Sequence, residues 1–290
     1  MAASIPDDEM GKQRKRTRYK GKVSLAALLV ERGLFDDLDE ARRWVMAGNV
    51  LVNDQRLDKP GMAVARDARV YVRGRTRYAS RGGHKLAAAL EQFAVDVAGC
   101  VALDCGASTG GFTDCLLQHG AARVYAVEAG YGQLIGRLRI DPRVCNLERT
   151  NLSDLRLEQL VPPPELVTLD LSYLSLASAL PIVAALLSPE GRVLALVKPL
   201  FEVESSEARR TGRIDDPALV IAALQRVLDA GRACGLSTQG VAKLALQPRH
   251  GVHEFFILFA RRPEARDWYG DEQALATIVA GPGIGPAEIE

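Results

Sequence analysis

Residues 101–114 read VALDCGASTGGFTD, and the fold follows from this stretch. Val101 to Cys105 is a short apolar run of strand length, closed by an acidic residue and a glycine-rich turn. Residues 111–119 then carry a helical pattern. A strand, a glycine loop and a helix in that order form the opening of a βαβ unit. Further apolar runs repeat the order, with strands predicted at Arg123–Glu128, Val144–Glu148, Leu166–Asp170, Arg192–Val197, Thr238–Leu246 and Glu254–Ala260. Helices fit near 131–139, 176–188 and 217–234. Alternation of this kind predicts an α/β fold, a mostly parallel sheet of seven strands with helices on both faces. Ligands of such sheets bind outside the carboxyl ends of the strands, where the strand order reverses.

The same stretch points to a nucleoside cofactor. Glycine in the turn lets backbone approach a ligand closely, because no Cβ intervenes. Glu128 closes the next strand, 22 residues after Gly106, where a carboxylate can accept both ribose hydroxyls. A dinucleotide would ask for G-x-G-x-x-G with its pyrophosphate on the helix N-terminus. Here the spacing is G-x-x-x-G-G, and Asp104 stands just before the loop. A carboxylate there repels pyrophosphate but tolerates a cation, which favours the amino group and sulfonium of S-adenosylmethionine. Asp104, Gly106, Ser108, Thr109, Gly110, Gly111, Phe112 and Glu128 are the candidate cofactor residues.

Outward from this core, charge separates the chain into unlike parts. Residues 1–85 hold 19 Lys and Arg against 11 Asp and Glu, while the remainder holds 18 against 25. Seven of the eleven residues from Lys12 to Lys22 are basic. A basic N-terminal part suits a polyanion, since Lys and Arg release condensed counterions from phosphates. From Val23, Leu25, Leu28 and Leu29 give one helical stripe, and Leu38, Ala41, Val45 and Met46 a second, over about 37–47. Gly48 ends that helix. A strand from Val50 enters a turn near Asn53, and another spans Ala68 to Val72. Two helices and a hairpin in about 50 residues make a binding module rather than a substrate-enclosing enzyme.

Composition sets the outer limits. The 290 residues are 48% hydrophobic and 25% charged, as in ordinary globular domains. The longest apolar stretch, Ala179 to Leu187, is far shorter than the ~18 residues of a membrane span, and no secretory leader is read at the N-terminus. Five cysteines without a C-x-x-C pair read as reduced thiols, so a cytoplasmic location is expected. His250-x-x-His253 has no cysteine near it, and no metal is expected.

The N-terminal segment LLVERGLFDDLDEARRWVMAGNVLVNDQRLDKPG resembles the S-four-like RNA-binding domain. The resemblance implies that Arg42, Arg43, Asn53 and Arg56 contact RNA. The segments SRGGHKL (80–86), GASTGGFTD (106–114), GYGQL (130–134), LERTN (147–151), LDLSYLSL (169–176) and LVKP (196–199), taken together, resemble the TlyA-type hemolysin/rRNA 2′-O-methyltransferase family. That family joins an S-four-like domain to an FtsJ-like, Rossmann-like class I methyltransferase domain. It implies methyl transfer from S-adenosylmethionine to a ribose 2′-hydroxyl of ribosomal RNA, with cytidine the implied nucleoside. It also implies a catalytic Lys-Asp-Lys-Glu set, carried motif by motif onto Lys85, Asp170, Lys198 and Glu254. Asp170 and Lys198 close parallel strands and Glu254 opens an antiparallel one, so topology brings these three to one sheet edge. Lys85 is placed there by resemblance alone.

The expected organisation is a basic disordered tail over 1–22, the RNA-binding domain over 23–73, a linker over 74–79, the methyltransferase domain over 80–262 and a disordered extension over 263–290. Ribosomal RNA or ribosomal subunits are the expected partners, with no membrane and no obligate protein partner. Leu200 and Val252 depart from the family pattern beside Lys198 and Glu254. They leave room for a non-catalytic RNA-binding protein that keeps the fold. A hemolysin is the third reading, and it lacks a membrane-spanning helix.

Overall fold

The computed structural model describes residues 21–32, 34–35, 37–74, 77–245, 253–261 and 272–284. The chain divides into two compact units, Met1–Thr76 and Arg77–Glu290.

In the first unit, β1 (Lys22–Ser24) leads into α1 (Leu25–Glu31), and α2 (Leu38–Met46) follows. Both helices are capped by their own sequence. Ser24 Oγ accepts from Ala27 N at 3.3 Å, and Asp37 Oδ1 from Glu40 N at 2.7 Å. Gly48, at φ +71°, ends the second helix in the left-handed conformation that glycine adopts freely. Strands β2 (Val50–Val52) and β3 (Gln55–Leu57) form a hairpin, β4 (Ala63–Ala65) pairs with β1, and β5 (Val70–Val72) pairs with β2. Leu25, Leu28, Leu29, Phe35, Ala41, Val45, Val50 and Val72 form one core, whereas Leu38 and Met46 of the predicted second stripe are exposed. The two short strands β1 and β4 were not legible, because three-residue strands carry almost no periodicity.

The second unit holds α3 (Arg81–Gln92), β6 (Val101–Cys105), α4 (Gly111–Gln118), β7 (Arg123–Glu128), α5 (Gly136–Arg139), β8 (Val144–Glu148), β9 (Leu166–Leu169), α6 (Leu176–Leu186) and β10 (Arg192–Val197). It continues with α7 (Pro199–Glu202), α8 (Ser206–Thr211), α9 (Pro217–Ala233), β11 (Ser237–Lys243), β12 (Phe255–Ala260) and α10 (Glu272–Ala280). The strands form one sheet in the order β11-β12-β10-β9-β6-β7-β8, parallel except for β12. The order reverses between β6 and β9, which places the switch point beside the glycine loop. Apolar side chains cover both faces of the sheet, as the near-continuous hydrophobic strands require.

Three expectations are corrected. The helix expected over 131–139 shrinks to Gly136–Arg139, because Gly132 at φ +72° breaks the chain just before it. Helix α3 was not expected at all. The extension over 263–290, expected to be disordered, contains α10 and a bridge from Ile284 to Leu244. Leu275 is fully buried there, and Lys243 Nζ donates to the carbonyls of Val279 (2.8 Å) and Gly281 (3.1 Å). The basic run before Gly21 lies outside the described residues.

Candidate active site

Gly106 starts the loop after β6 at φ +86°, and a Cβ there would stand 2.5 Å from the Asp170 carbonyl oxygen. Any other residue would push the glycine loop away from the end of β9. Gly106, Ala107, Ser108, Thr109, Gly111 and Phe112 line a cavity of about 370 Å³ with Ser80, Arg81, Gly82, Lys85 and Asp170. That volume is in the range of small-ligand sites. Gly110 lies under Leu134 and Leu138 rather than on the cavity wall. Phe112 is a buried part of the wall, packed toward Phe256.

Glu128, at the end of β7, faces the loop from the side. Its Oε2 accepts from Ser108 N at 3.0 Å and its Oε1 from Gly130 N at 2.7 Å. The carboxylate thus fixes the loop, and it is not among the residues that line the cavity.

Asp104 does not face the cavity. It is 0% exposed, and its oxygens accept from Thr113 Oγ1 at 2.7 Å and Thr168 Oγ1 at 3.1 Å. Burial pushes its pKa up to about 6, against the two threonine hydrogen bonds. The expectation that it meets the cofactor's cation is therefore corrected. It ties β6 to α4 and β9 beneath the loop.

The four candidate catalytic side chains come together as two ion pairs. Lys198, just past β10, lies 2.5 Å from Asp170 Oδ1, with 19% and 25% of the side chains exposed. Its Nζ also donates to Ser172 Oγ at 3.2 Å and to the Leu171 carbonyl at 3.4 Å. Lys85 of α3 pairs with Glu254 at the start of β12. Lys85 and Asp170 share the cavity wall with the glycine loop, so one member of each pair borders that space, while Lys198 and Glu254 are not among its lining residues.

Helix α3 reaches that space because of its glycines. Ser80 Oγ caps it through Gly82 N at 3.2 Å, and a Cβ on Gly83 would lie 2.7 Å from the Gly111 carbonyl. The helix can lie directly against the start of α4 only without that carbon. Asp114, on α4, holds the incoming chain by accepting from Ala79 N at 2.7 Å. Arg81, Ser80 and Gly82 on the wall were missed, although the SRGGHKL segment contains all three.

Residues 78–261 match the FtsJ-like methyltransferase family, and residues 24–70 match the S4 domain. The chain belongs to the FtsJ-like methyltransferase family. The "16S/23S rRNA (cytidine-2'-O)-methyltransferase TlyA" of Mycobacterium tuberculosis is 40% identical over 233 residues, 80% of this chain and 87% of that protein. "Hemolysin A" of Brachyspira hyodysenteriae is 34% identical over 204 residues, 69% of this chain and 85% of that one. A solved structure titled "Putative hemolysin from Streptococcus thermophilus" superposes with a TM-score of 0.67 at 34% identity, covering 90% of this chain and 95% of that one. An S4 domain ahead of an FtsJ-like domain is the TlyA-type arrangement.

Within this FtsJ-like methyltransferase, the candidate RNA residues lie on the S4 unit. Arg42 and Arg43 are both exposed on α2, and Arg42 pairs with exposed Asp39 at 2.9 Å. The Arg56 guanidinium covers Gly48 at the end of α2. Asn53 is exposed, and its Oδ1 accepts from Arg69 N at 2.9 Å, which fixes the hairpin turn. Among the described residues no cluster of three or more His, Cys, Asp or Glu could hold a metal ion, and no helix is long and apolar enough to cross a membrane. His250 and Val252 lie outside the described residues. Leu200 packs with Val203, Ala208 and Ala223, an apolar role in which a polar side chain would gain nothing.

Proposed function

We propose that this protein methylates a ribose 2′-hydroxyl of ribosomal RNA, with cytidine as the nucleoside, using S-adenosylmethionine. What supports this reading is that Asp170, paired with Lys198, and Lys85, paired with Glu254, line the cavity beside the glycine loop. S-adenosylmethionine supplies an electrophilic methyl group on a sulfonium. Glu128 would hold its ribose, and Gly106 to Thr109, which line the cavity, would form part of its pocket. Lys198 is the group nearest the target hydroxyl, where it takes up the proton or stabilises the developing alkoxide. Asp170 orients Lys198, and Glu254 does the same for Lys85. A hydroxyl fixed among these groups reacts as if at high local concentration. The direct test is to map 2′-O-methyl groups in ribosomal RNA with and without the gene. An identical map would end the proposal.

The name "Hemolysin A" of one relative motivates a second test, because lysis needs a membrane-active protein. Purified protein free of lipid contaminants is expected to leave erythrocytes intact while it methylates RNA.

Two further outcomes are expected. Glu128→Ala should weaken S-adenosylmethionine binding at least about tenfold, because hydrogen bonds to a charged acceptor contribute ~1.5–3 kcal/mol each. Calorimetry reads this, and an unchanged affinity in a folded variant refutes the ribose assignment. The Arg42→Ala, Arg43→Ala double variant should bind ribosomal RNA more weakly and with a shallower salt dependence. Each lost phosphate contact flattens the log–log slope by ~0.7–0.9. The Arg42–Asp39 pair is exposed and costs little to break, so stability should stay within about 1 kcal/mol. Wild-type affinity and slope would place both arginines outside the RNA interface.

A further inference from the structure

Glu202 is a buried carboxylate that the chemistry above does not use. It ends α7, one turn beyond Lys198, and is 4% exposed. Its Oε1 accepts from Leu176 N at 2.7 Å, and the Ala177 N–H also acts on the carboxylate. Both donors belong to the first turn of α6. Burial raises the pKa of Glu202, and those two N–H groups with Arg226 of α9 oppose the rise.

Helix α6 is capped by two side chains that meet different N–H groups of its first turn. Ser175 accepts from Ser178 N at 3.3 Å. Glu202 serves donors that Ser175 leaves open, Leu176 N and Ala177 N, and does so from another element. What it adds is a connection. Leu176 follows the segment 170–175 directly, and Asp170, Leu171 and Ser172 of that segment are the groups that hold Lys198. On the other side, Glu202 joins Lys198 through one tight turn, with Phe201 N donating to the Lys198 carbonyl at 2.9 Å. The contacts close a ring: Lys198, α7, Glu202, the start of α6, residues 170–172, and back to Lys198.

We propose that Glu202 is a positioning residue that locks the loop after β10 to the loop after β9 and so sets the Lys198–Asp170 geometry. The catalytic consequence rests on the role given to Lys198 above, but the positioning itself does not. The charged groups around the locked elements are Asp170 and Lys198 in the site, Lys85 on the shared wall, and Arg226 with its partner Glu204 beside α7.

The test compares Glu202→Ala, Glu202→Gln and Glu202→Asp in the full-length protein. Glutamine keeps an oxygen at the same reach, whereas aspartate keeps the charge but is one methylene too short. Two readouts are used: steady-state methylation, and the rate at which an amine-reactive reagent labels Lys198 at fixed pH, followed by mass spectrometry. The alanine and aspartate variants should lose at least about tenfold in kcat with KM for RNA and cofactor affinity within about twofold, since small misplacements of reacting groups cost rate rather than binding. Lys198 labelling should accelerate severalfold in both. Glutamine should restore both readouts. Should alanine unfold the protein, aspartate against glutamine gives the same comparison. Unchanged Lys198 labelling in a folded alanine or aspartate variant overturns the proposal, as does a glutamine variant as impaired as the aspartate one. Faster labelling with unchanged kcat supports the positioning and refutes the catalytic role of Lys198.

Discussion

Lys198→Ala is expected to leave cofactor and RNA binding nearly intact while the single-turnover rate of methylation falls by ~10²–10⁴, the usual contribution of a group that handles the transferred proton. Lys198→Arg should fail too. A guanidinium does not surrender its proton, and its planar fork cannot take the place of a compact ammonium between Asp170, Ser172 and the Leu171 carbonyl. A purely structural salt bridge gives the opposite result. Arginine would then rescue the pair, and alanine would cost about 1 kcal/mol or less. One substitution therefore separates the readings. A Lys198→Arg enzyme that methylates RNA at the wild-type rate would sink the catalytic assignment. Thermal midpoints of both variants guard against mistaking unfolding for lost chemistry, because alanine leaves the partly buried Asp170 without its cation.

The sheet was legible because parallel strands covered on both faces are written as near-continuous apolar runs. Val101–Cys105, Arg123–Glu128, Val144–Glu148 and Arg192–Val197 begin and end where the sequence predicts. Glycine or proline lies close to each of them on at least one side, which marked where they begin or end. Helix α3 was hidden for a related reason. Its sequence, RGGHKLAAALEQ, opens with two of the poorest helix formers. Its stability comes from packing on α4, which requires those glycines and is a tertiary fact. Lys85 could thus be found by resemblance but not by pattern. Lys198 and Asp170 were different, since strand ends in a parallel sheet converge by topology alone. The C-terminal segment misled in the reverse direction. Its Gly-Pro repeats read as disorder, yet Leu275 and Lys243 anchor the helix that precedes them. Glu202 carried no sequence signal beyond its place after Lys198, because a carboxylate on a short turn is usually exposed.

Asp104→Asn is expected to stabilise the protein at neutral pH, and this follows from a cofactor residue that the sequence misplaced. An acid closing the first strand looks like a ligand when its partners, Thr113 and Thr168, cannot be seen. With both in place, it is a fully buried carboxyl whose pKa rises from an ordinary 3.8 to about 6. The sign follows from proton counts. Between pH 4 and 6 the folded state retains a proton that the unfolded state has released, so unfolding becomes easier as pH rises through this window. Above about pH 6 the folded state carries the full penalty of a buried charge. A rise from 3.8 to about 6 corresponds to about 3 kcal/mol. Asparagine keeps the shape, and its amide can serve both hydroxyls after they rotate. The variant should therefore gain up to about 3 kcal/mol over the wild type at pH 7.5, and the gain should shrink toward zero near pH 4. Denaturant unfolding at the two pH values reads the difference directly, with other titrating groups common to both proteins. Cofactor affinity should change little, since Asp104 reaches no part of the cavity wall. A loss of stability at pH 7.5 would mean that the carboxylate is the favoured species beneath the loop. A large loss of S-adenosylmethionine affinity would restore Asp104 to the ligand side of the site.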